Sequence, residues 1–203
     1  MSATGEGYVK YTAEHTTCLV TETPHWAELN NARTHLHKLG LVGANSDGIG
    51  FGNVSARCNG NEFIISGTAT GAVPVLALDQ YCLVNFFDIE KNRVVTSGPV
   101  QASAESMSHG AVYQSCTEAE CVIHIHSKKI FDKMLWEDYV RTPKDAEYGT
   151  PEIALAIGAC VRNSGKNEGQ IIMAGHDEGI IAYGPSIERA FNLILELYVM
   201  FGG

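Results

Sequence analysis

Two histidines separated by one residue, His124 and His126, form the clearest metal-binding pattern in this 203-residue sequence. They lie in the apolar segment CVIHIH, which predicts a buried β-strand. Side chains two residues apart in a strand point to the same face, with Cα atoms about 6.5–7 Å apart, so two imidazoles can converge on one ion. The spacing alone does not decide between a ligand pair and two core histidines satisfied by hydrogen bonds.

A third histidine, His176, follows the apolar segment GQIIMAG and is flanked by Gly175 and Gly179, which allow a sharp turn. Together the three histidines match an open zinc site, where three protein ligands leave one position for water or substrate. The remaining five histidines have no comparable spacing. His35 and His37 also show the H-x-H pattern, but within a predicted helix, where such side chains diverge.

Glu105 is the candidate catalytic carboxylate. It lies in ASAESMSHGAVYQ, within a predicted helix over 104–116, and precedes His109 by four residues, so that the two share a helix face. The helix dipole favours a carboxylate in the first turn, so Glu105 could equally be a capping acid. The residues themselves leave both interpretations open.

Two segments, 48–57 and 65–71, are rich in Gly, Asn, Ser and Thr. Their backbone N–H groups and hydroxyls could surround an anion, and Arg57 is the basic residue that could assist from the edge. Neither segment contains a P-loop lysine or a G-x-G-x-x-G motif after a strand, so nucleotide binding is not indicated.

The composition narrows the class of protein. The net charge is −9, and no Lys- or Arg-rich run occurs, so a nucleic-acid partner is not expected. Six cysteines without a C-x-x-C pair indicate buried free thiols in a reducing compartment. Without a signal-like start or a stretch of about 20 apolar residues, we expect no membrane partner and a cytoplasmic location.

Strands and helices alternate along the chain, which predicts one α/β domain. Residues 1–22 are polar and Thr-rich and are interpreted as an arm. Thr23 and Pro24 are expected to open the first helix, which Gly40 ends. The further elements expected are strands at 62–66, 81–88, 92–96 and 121–126, two strands around the His176 turn, and helices at 104–116, 151–162 and 185–201.

Five blocks, in this order and spacing, resemble the class II aldolase/adducin family, whose founding enzyme is fuculose-1-phosphate aldolase. They are GNVSAR, SGTATG, ASAESMSHGAVYQ, VIHIHS and AGHDEGIIAYG. The resemblance covers roughly residues 25–201. It implies a catalytic domain over 23–203 with a three-layer α/β/α architecture and a mostly antiparallel central sheet. It also implies a homotetramer with active sites at subunit interfaces.

The resemblance assigns roles to individual residues. It implies zinc on His124, His126 and His176, and it makes Glu105 the general acid/base. It implies that substrate phosphate binds to residues of the two Gly-rich segments and to the serine before the glutamate: Asn53, Thr70, Gly71 and Ser103. Ala104 stands where the family's aldolases often have a second serine. Manganese, cobalt and nickel are alternatives to zinc for such a ligand set.

These residues together predict a zinc-dependent aldolase. It would cleave a carbon–carbon bond of a small, phosphorylated ketose or related hydroxycarbonyl compound through an enediolate. The alternatives are an epimerase, a dehydratase or a decarboxylase on the same scaffold, and a non-catalytic interaction module of the adducin type. Metal content distinguishes the last of these, because such a module has no use for the three histidines.

Overall fold

The sequence folds into one large sheet with helices on both faces, as seen in a computed structural model that describes residues 9–20 and 25–202. The nine strands of this sheet follow the order β1-β7-β6-β5-β4-β8-β11-β10-β9, and β2 pairs with β3 separately. The elements are β1 (Thr12–Thr17), α1 (Trp26–Lys38), β2 (Gly43–Ala44), β3 (Gly50–Phe51), β4 (Asn53–Asn59), β5 (Glu62–Ser66), β6 (Tyr81–Asp88), β7 (Arg93–Gly98), α2 (Ser106–Ser115), β8 (Cys121–His126), α3 (Lys128–Trp136), β9 (Val140–Arg141), α4 (Pro151–Ser164), β10 (Gly169–Ile172), β11 (Gly179–Gly184) and α5 (Ile187–Leu197).

The sheet is mixed, which corrects the expectation of a mostly antiparallel sheet. The inner pairings are antiparallel, but β1 joins β7 and β9 joins β10 in parallel. Both edge strands lack a buried, alternating apolar pattern: β1 is the largely exposed segment TAEHTT, and β9 has two exposed residues. Backbone pairing alone defines these strands, so a pattern of apolar side chains could not reveal them.

The predicted arm, residues 1–22, contributes to the sheet through β1. Residues 1–8 and 21–24 lie outside the described residues, and so does the predicted helix start at Thr23 and Pro24. Helix α1 has its described start at Trp26 and ends at Lys38, close to the expected stop at Gly40. The division between an arm and a domain at residue 22 stays a prediction.

Two apolar cores lie on the two faces of the sheet. Residues of α2 and α4 pack on one face, and residues of α1, α3 and α5 pack on the other. Helix α3 begins immediately after the H-x-H strand, because the Ser127 hydroxyl accepts a hydrogen bond from the Ile130 N–H at 3.3 Å. The two cores therefore hold β8 from both sides and fix the end that carries His126.

Candidate active site

Strand β8 presents His124 and His126 side by side. Val122 packs in the core with α2 and α4, whereas Ile123 and Ile125 pack in the opposite core, so the strand alternates as the sequence predicted. Both histidines are buried, with exposed fractions of 1% and 7%. The antiparallel register with β4 sets Asn53 opposite His124.

His176 reaches the same place from the turn between β10 and β11. This turn is closed by hydrogen bonds from the His176 N–H to the Met173 carbonyl and from the Met173 N–H to the Gly179 carbonyl, at 2.8 and 3.0 Å. Gly179 lies opposite His126 in the β8–β11 register. A Cβ on Gly179 would meet His176 Cδ2 at 2.7 Å and His124 Cε1 at 3.2 Å. The absence of a side chain at residue 179 therefore leaves room for two of the three imidazoles.

The three imidazoles converge in a way that suits a metal ion. His126 Nε2 lies 3.0 Å from His124 Nε2 and 3.1 Å from His176 Nε2. His124 Nδ1–H donates to the Ile180 carbonyl at 3.2 Å, which leaves Nε2 with its lone pair free of a proton. These three histidines can therefore hold a metal ion. They are the same three residues that the sequence offered as a ligand set.

The protonation of these histidines also favours a metal. Burial, followed by the neighbouring His126 and His176, holds the pKa of His124 well below its usual value. Burial likewise lowers the pKa of His176, with smaller contributions from His126 and Lys10. Both imidazoles are therefore neutral near pH 7, which is the form that coordinates metals.

Glu105 lines the same pocket as the three histidines and is 3% exposed. It occupies the N-cap position of α2, but its side chain makes no capping hydrogen bond. Instead, Ser103 Oγ accepts a hydrogen bond from the Glu105 N–H at 3.3 Å. The interpretation of Glu105 as a capping acid is therefore not supported, and its carboxylate belongs to the pocket.

The residues predicted to bind an anion also line this pocket: Asn53, Thr70, Gly71 and Ser103. Asn53 Oδ1 is buried and has no hydrogen-bond partner among the described residues. The Thr70 hydroxyl donates to the Gly67 carbonyl at 2.8 Å, so its proton is already used within the loop. The donors that remain for an anion on this side are backbone N–H groups, the side-chain amide of Asn53 and the hydroxyl of Ser103.

Two aromatic rings that the sequence did not single out flank the histidines. The Phe51 ring lies 5.5 Å from the His126 ring, and the Tyr148 ring lies 4.4 Å from the His176 ring at an interplanar angle of 32°. Lys10 Nζ donates to the Tyr148 carbonyl at 2.8 Å. No local spacing links residues 10, 148 and 176, so only the folded chain could bring them together.

The comparison with protein families decides the identity of this fold and site. A family model described as the class II aldolase and adducin N-terminal domain matches residues 27–132, just over half of the chain. The chain belongs to the class II aldolase and adducin family. The match includes Glu105 and the two histidines of β8, as well as both Gly-rich segments. A comparison with curated proteins found no match.

Solved structures share the fold of this family member. The l-fuculose-1-phosphate aldolase from Thermus thermophilus is 21% identical, with a TM-score of 0.61, over 85% of this chain and 88% of that one. A sugar-phosphate aldolase from Thermotoga maritima is 15% identical, with a TM-score of 0.62, over 84% and 88%. YgbL from Klebsiella pneumoniae, described as an aldolase, epimerase or decarboxylase, is 17% identical, with a TM-score of 0.62, over 84% and 83%.

Arg57 does not reach the pocket of this class II aldolase family member. Its guanidinium donates to the carbonyl oxygens of Ala119, Tyr113 and Cys116 at 2.7, 3.1 and 2.8 Å, and also to that of Gly60. Arg57 therefore ties β4 to the end of α2, and the suggestion that it assists an anion from the edge is not supported.

No helix among the described residues is long and apolar enough to cross a membrane.

A buried polar network supports α2 behind the pocket. Ser55 Oγ lies 2.6 Å from His109 Nδ1 and 2.8 Å from the Tyr113 hydroxyl. His109 is fully buried, and its Nε2 has no hydrogen-bond partner among the residues that the structure describes. Burial lowers the pKa of His109 from 6.5 to about 3. His109 is thus a neutral structural residue of the helix that carries Glu105.

We expect this depressed pKa to make the metal-free protein less stable in acid. The unfolded chain binds a proton at His109 from about pH 6.5 downwards, whereas the folded chain resists it until about pH 3. The stabilisation is complete above pH 6.5 and is lost as the pH falls towards 3, with a slope of up to about 1.4 kcal/mol per pH unit. Urea unfolding of wild type and His109→Asn at pH 7, 6 and 5 measures this slope. The variant should show the shallower dependence, and equal slopes would contradict the assignment.

Proposed function

We propose that the protein is a zinc-dependent lyase that cleaves a carbon–carbon bond of a small, phosphorylated ketose or hydroxycarbonyl compound. The observation that carries this proposal is the convergence of three buried imidazoles and the Glu105 carboxylate in one pocket. Family membership and the fold shared with sugar-phosphate aldolases support the same reaction class.

The residues of the pocket have different proposed roles. His124, His126 and His176 would hold the ion, and three nitrogen ligands suit zinc best, with manganese, cobalt and nickel as alternatives. The bound ion would supply a Lewis acid that stabilises negative charge developing on the substrate carbonyl oxygen. Burial keeps His124 and His176 neutral, and the Ile180 carbonyl fixes the tautomer of His124.

Glu105 would move the proton. A carbon–carbon cleavage of a hydroxycarbonyl compound requires removal of the hydroxyl proton and its delivery to the new carbon centre. Glu105 is buried beside the three histidines, where a carboxylate can accept a proton and return it without competition from bulk water. The loop bearing Thr70 and Gly71, together with Asn53 and Ser103, would bind the phosphate in the same pocket.

A retro-aldol assay tests the reaction. We expect cleavage of at least one member of a panel of phosphorylated and free pentoses, hexoses and hydroxy acids, with zinc, manganese or cobalt added. Loss of activity with a chelator and its return with metal would link the reaction to the ion. Epimerisation, dehydration or carbon dioxide release without aldol cleavage would replace the proposed reaction by one of its alternatives. The homotetrameric state is a separate proposal, which light scattering tests.

A further inference from the structure

The proposed anion subsite has no cationic side chain in its lining. Among the described residues, no Lys or Arg lines the pocket. The chain also carries a net charge of −9, which disfavours anions at long range. Apart from the proposed metal ion, a phosphate group bound here would gain from a positive charge placed behind the pocket wall.

Arg33 of α1 lies directly behind that wall. Arg33 is 1% exposed, and within residues 9–20 and 25–202 its guanidinium forms no ion pair with a carboxylate. Its two terminal nitrogens instead donate four hydrogen bonds to one loop: Nη2 donates to the Thr70 and Gly71 carbonyls at 3.0 and 3.2 Å. Nη1 donates to the Pro74 carbonyl at 3.0 Å and also to the Val73 carbonyl. The positive charge is thus buried against a single loop, and no carboxylate in the described part of the chain neutralises it.

These hydrogen bonds determine which way the loop peptides point. In a planar trans peptide, the C=O and the following N–H point in opposite directions. Because the Thr70 carbonyl faces Arg33, the N–H of Gly71 must face away from Arg33. That N–H donates to no backbone carbonyl in the described part of the chain, and Gly71 itself lines the pocket.

The loop conformation depends on support from its surroundings. Ala69 has a φ of 57°, in the left-handed region that a non-glycine residue rarely adopts. A Cβ on Gly71 would lie 2.0 Å from the Gly43 carbonyl oxygen, so this loop fits tightly against its neighbour. Asn30, one helical turn before Arg33, also donates to this region, to the Leu76 carbonyl at 2.7 Å. Helix α1 therefore holds the loop through two side chains, Asn30 and Arg33, and Arg33 makes most of the hydrogen bonds.

We propose that Arg33 is the positioning residue of the anion subsite: it orients the Gly71 N–H into the pocket and adds a positive charge behind the loop peptides. This inference rests on the proposed function, specifically on the binding of an anionic group by Asn53, Thr70, Gly71 and Ser103. Arg33 does not touch the ligand, because the loop lies between them.

Binding of inorganic phosphate and of sulfate to the metal-loaded protein tests this role without a known substrate. We expect Arg33→Met to raise both dissociation constants by about tenfold or more, because it removes a buried positive charge held against the loop of the subsite. Arg33→Lys retains the charge and should stay within about threefold of wild type. The metal content should be the same in all these proteins.

Arg57→Met provides the matched control. Arg57 is a second buried arginine that donates to four backbone carbonyls, but these lie outside the pocket. Its replacement should lower thermal stability while leaving phosphate affinity unchanged. Equal weakening by Arg57→Met and Arg33→Met would reduce the effect to general destabilisation and overturn the inference, as would wild-type affinity in Arg33→Met.

A loss of phosphate affinity must be distinguished from a failure to fold. Circular dichroism verifies the fold of each variant, and if Arg33→Met does not fold, Arg33→Gln replaces it, because an amide can still donate to the loop carbonyls without a charge. Wild-type phosphate affinity in Arg33→Gln would then overturn the role of the charge. A wild-type protein that binds neither anion would overturn the subsite and this inference together, whereas metal content and lyase activity judge the proposed reaction independently.

Discussion

We expect His124→Ala and His126→Ala each to abolish stoichiometric metal binding and all metal-dependent activity. The Nε2 atoms of His124 and His176 lie 3.0 and 3.1 Å from that of His126, so each variant removes a third of one compact donor set. Zinc sites with an exchangeable position generally use three protein ligands, and two imidazoles alone hold zinc much more weakly. Elemental analysis after gel filtration should find about one divalent ion per wild-type chain and none in either variant.

His35→Ala is the matched control for this experiment. His35 belongs to the second H-x-H pair of the chain but is exposed on α1, where it lies beside the Asn31 carbonyl. It should leave metal content and activity unchanged. Full metal occupancy in the double variant His124→Ala, His126→Ala would refute the site, whichever metal is found.

The three-histidine group could be predicted from the sequence because its two central residues obey a strict local rule. Alternation in a strand guarantees that His124 and His126 share a face, whatever the rest of the fold. His176 required more, since 50 residues separate it from His126, and only the β8–β11 pairing brings its turn alongside. The glycine expected to permit the turn, Gly179, in fact makes room for two imidazole rings.

The sheet edges and the pocket wall could not be predicted in the same way. Strand β1 is held by backbone pairing with β7, and its side chains are mostly exposed, so no apolar pattern marks it. Arg33 is an extreme case, because a charged residue in a helix is normally expected to face solvent. Its partners are backbone carbonyls 37 to 41 residues away, and their positions depend on the folded loop rather than on residue type.

Glu105→Gln should lower turnover by about 10²–10⁴-fold, the usual contribution of a positioned acid/base group. In transition-state terms this corresponds to about 3–5 kcal/mol. The amide has nearly the shape of the carboxylate but can no longer accept and return a proton. Since the side chain makes no capping hydrogen bond to α2, the exchange breaks no hydrogen bond at the helix start. Turnover is measured on the substrate that the retro-aldol panel identifies, at saturating metal.

The fold and the metal should survive this substitution, because the three imidazoles remain in place. Glu120→Gln is a suitable control: the side chain of Glu120 is 47% exposed and lies near Arg57, outside the pocket, so its turnover should match wild type. Near-normal turnover in Glu105→Gln would show that another residue is the base. Loss of metal in parallel with turnover would instead assign Glu105 to the support of the ion. Only a variant that retains its metal and loses turnover establishes Glu105 as the residue that transfers the proton.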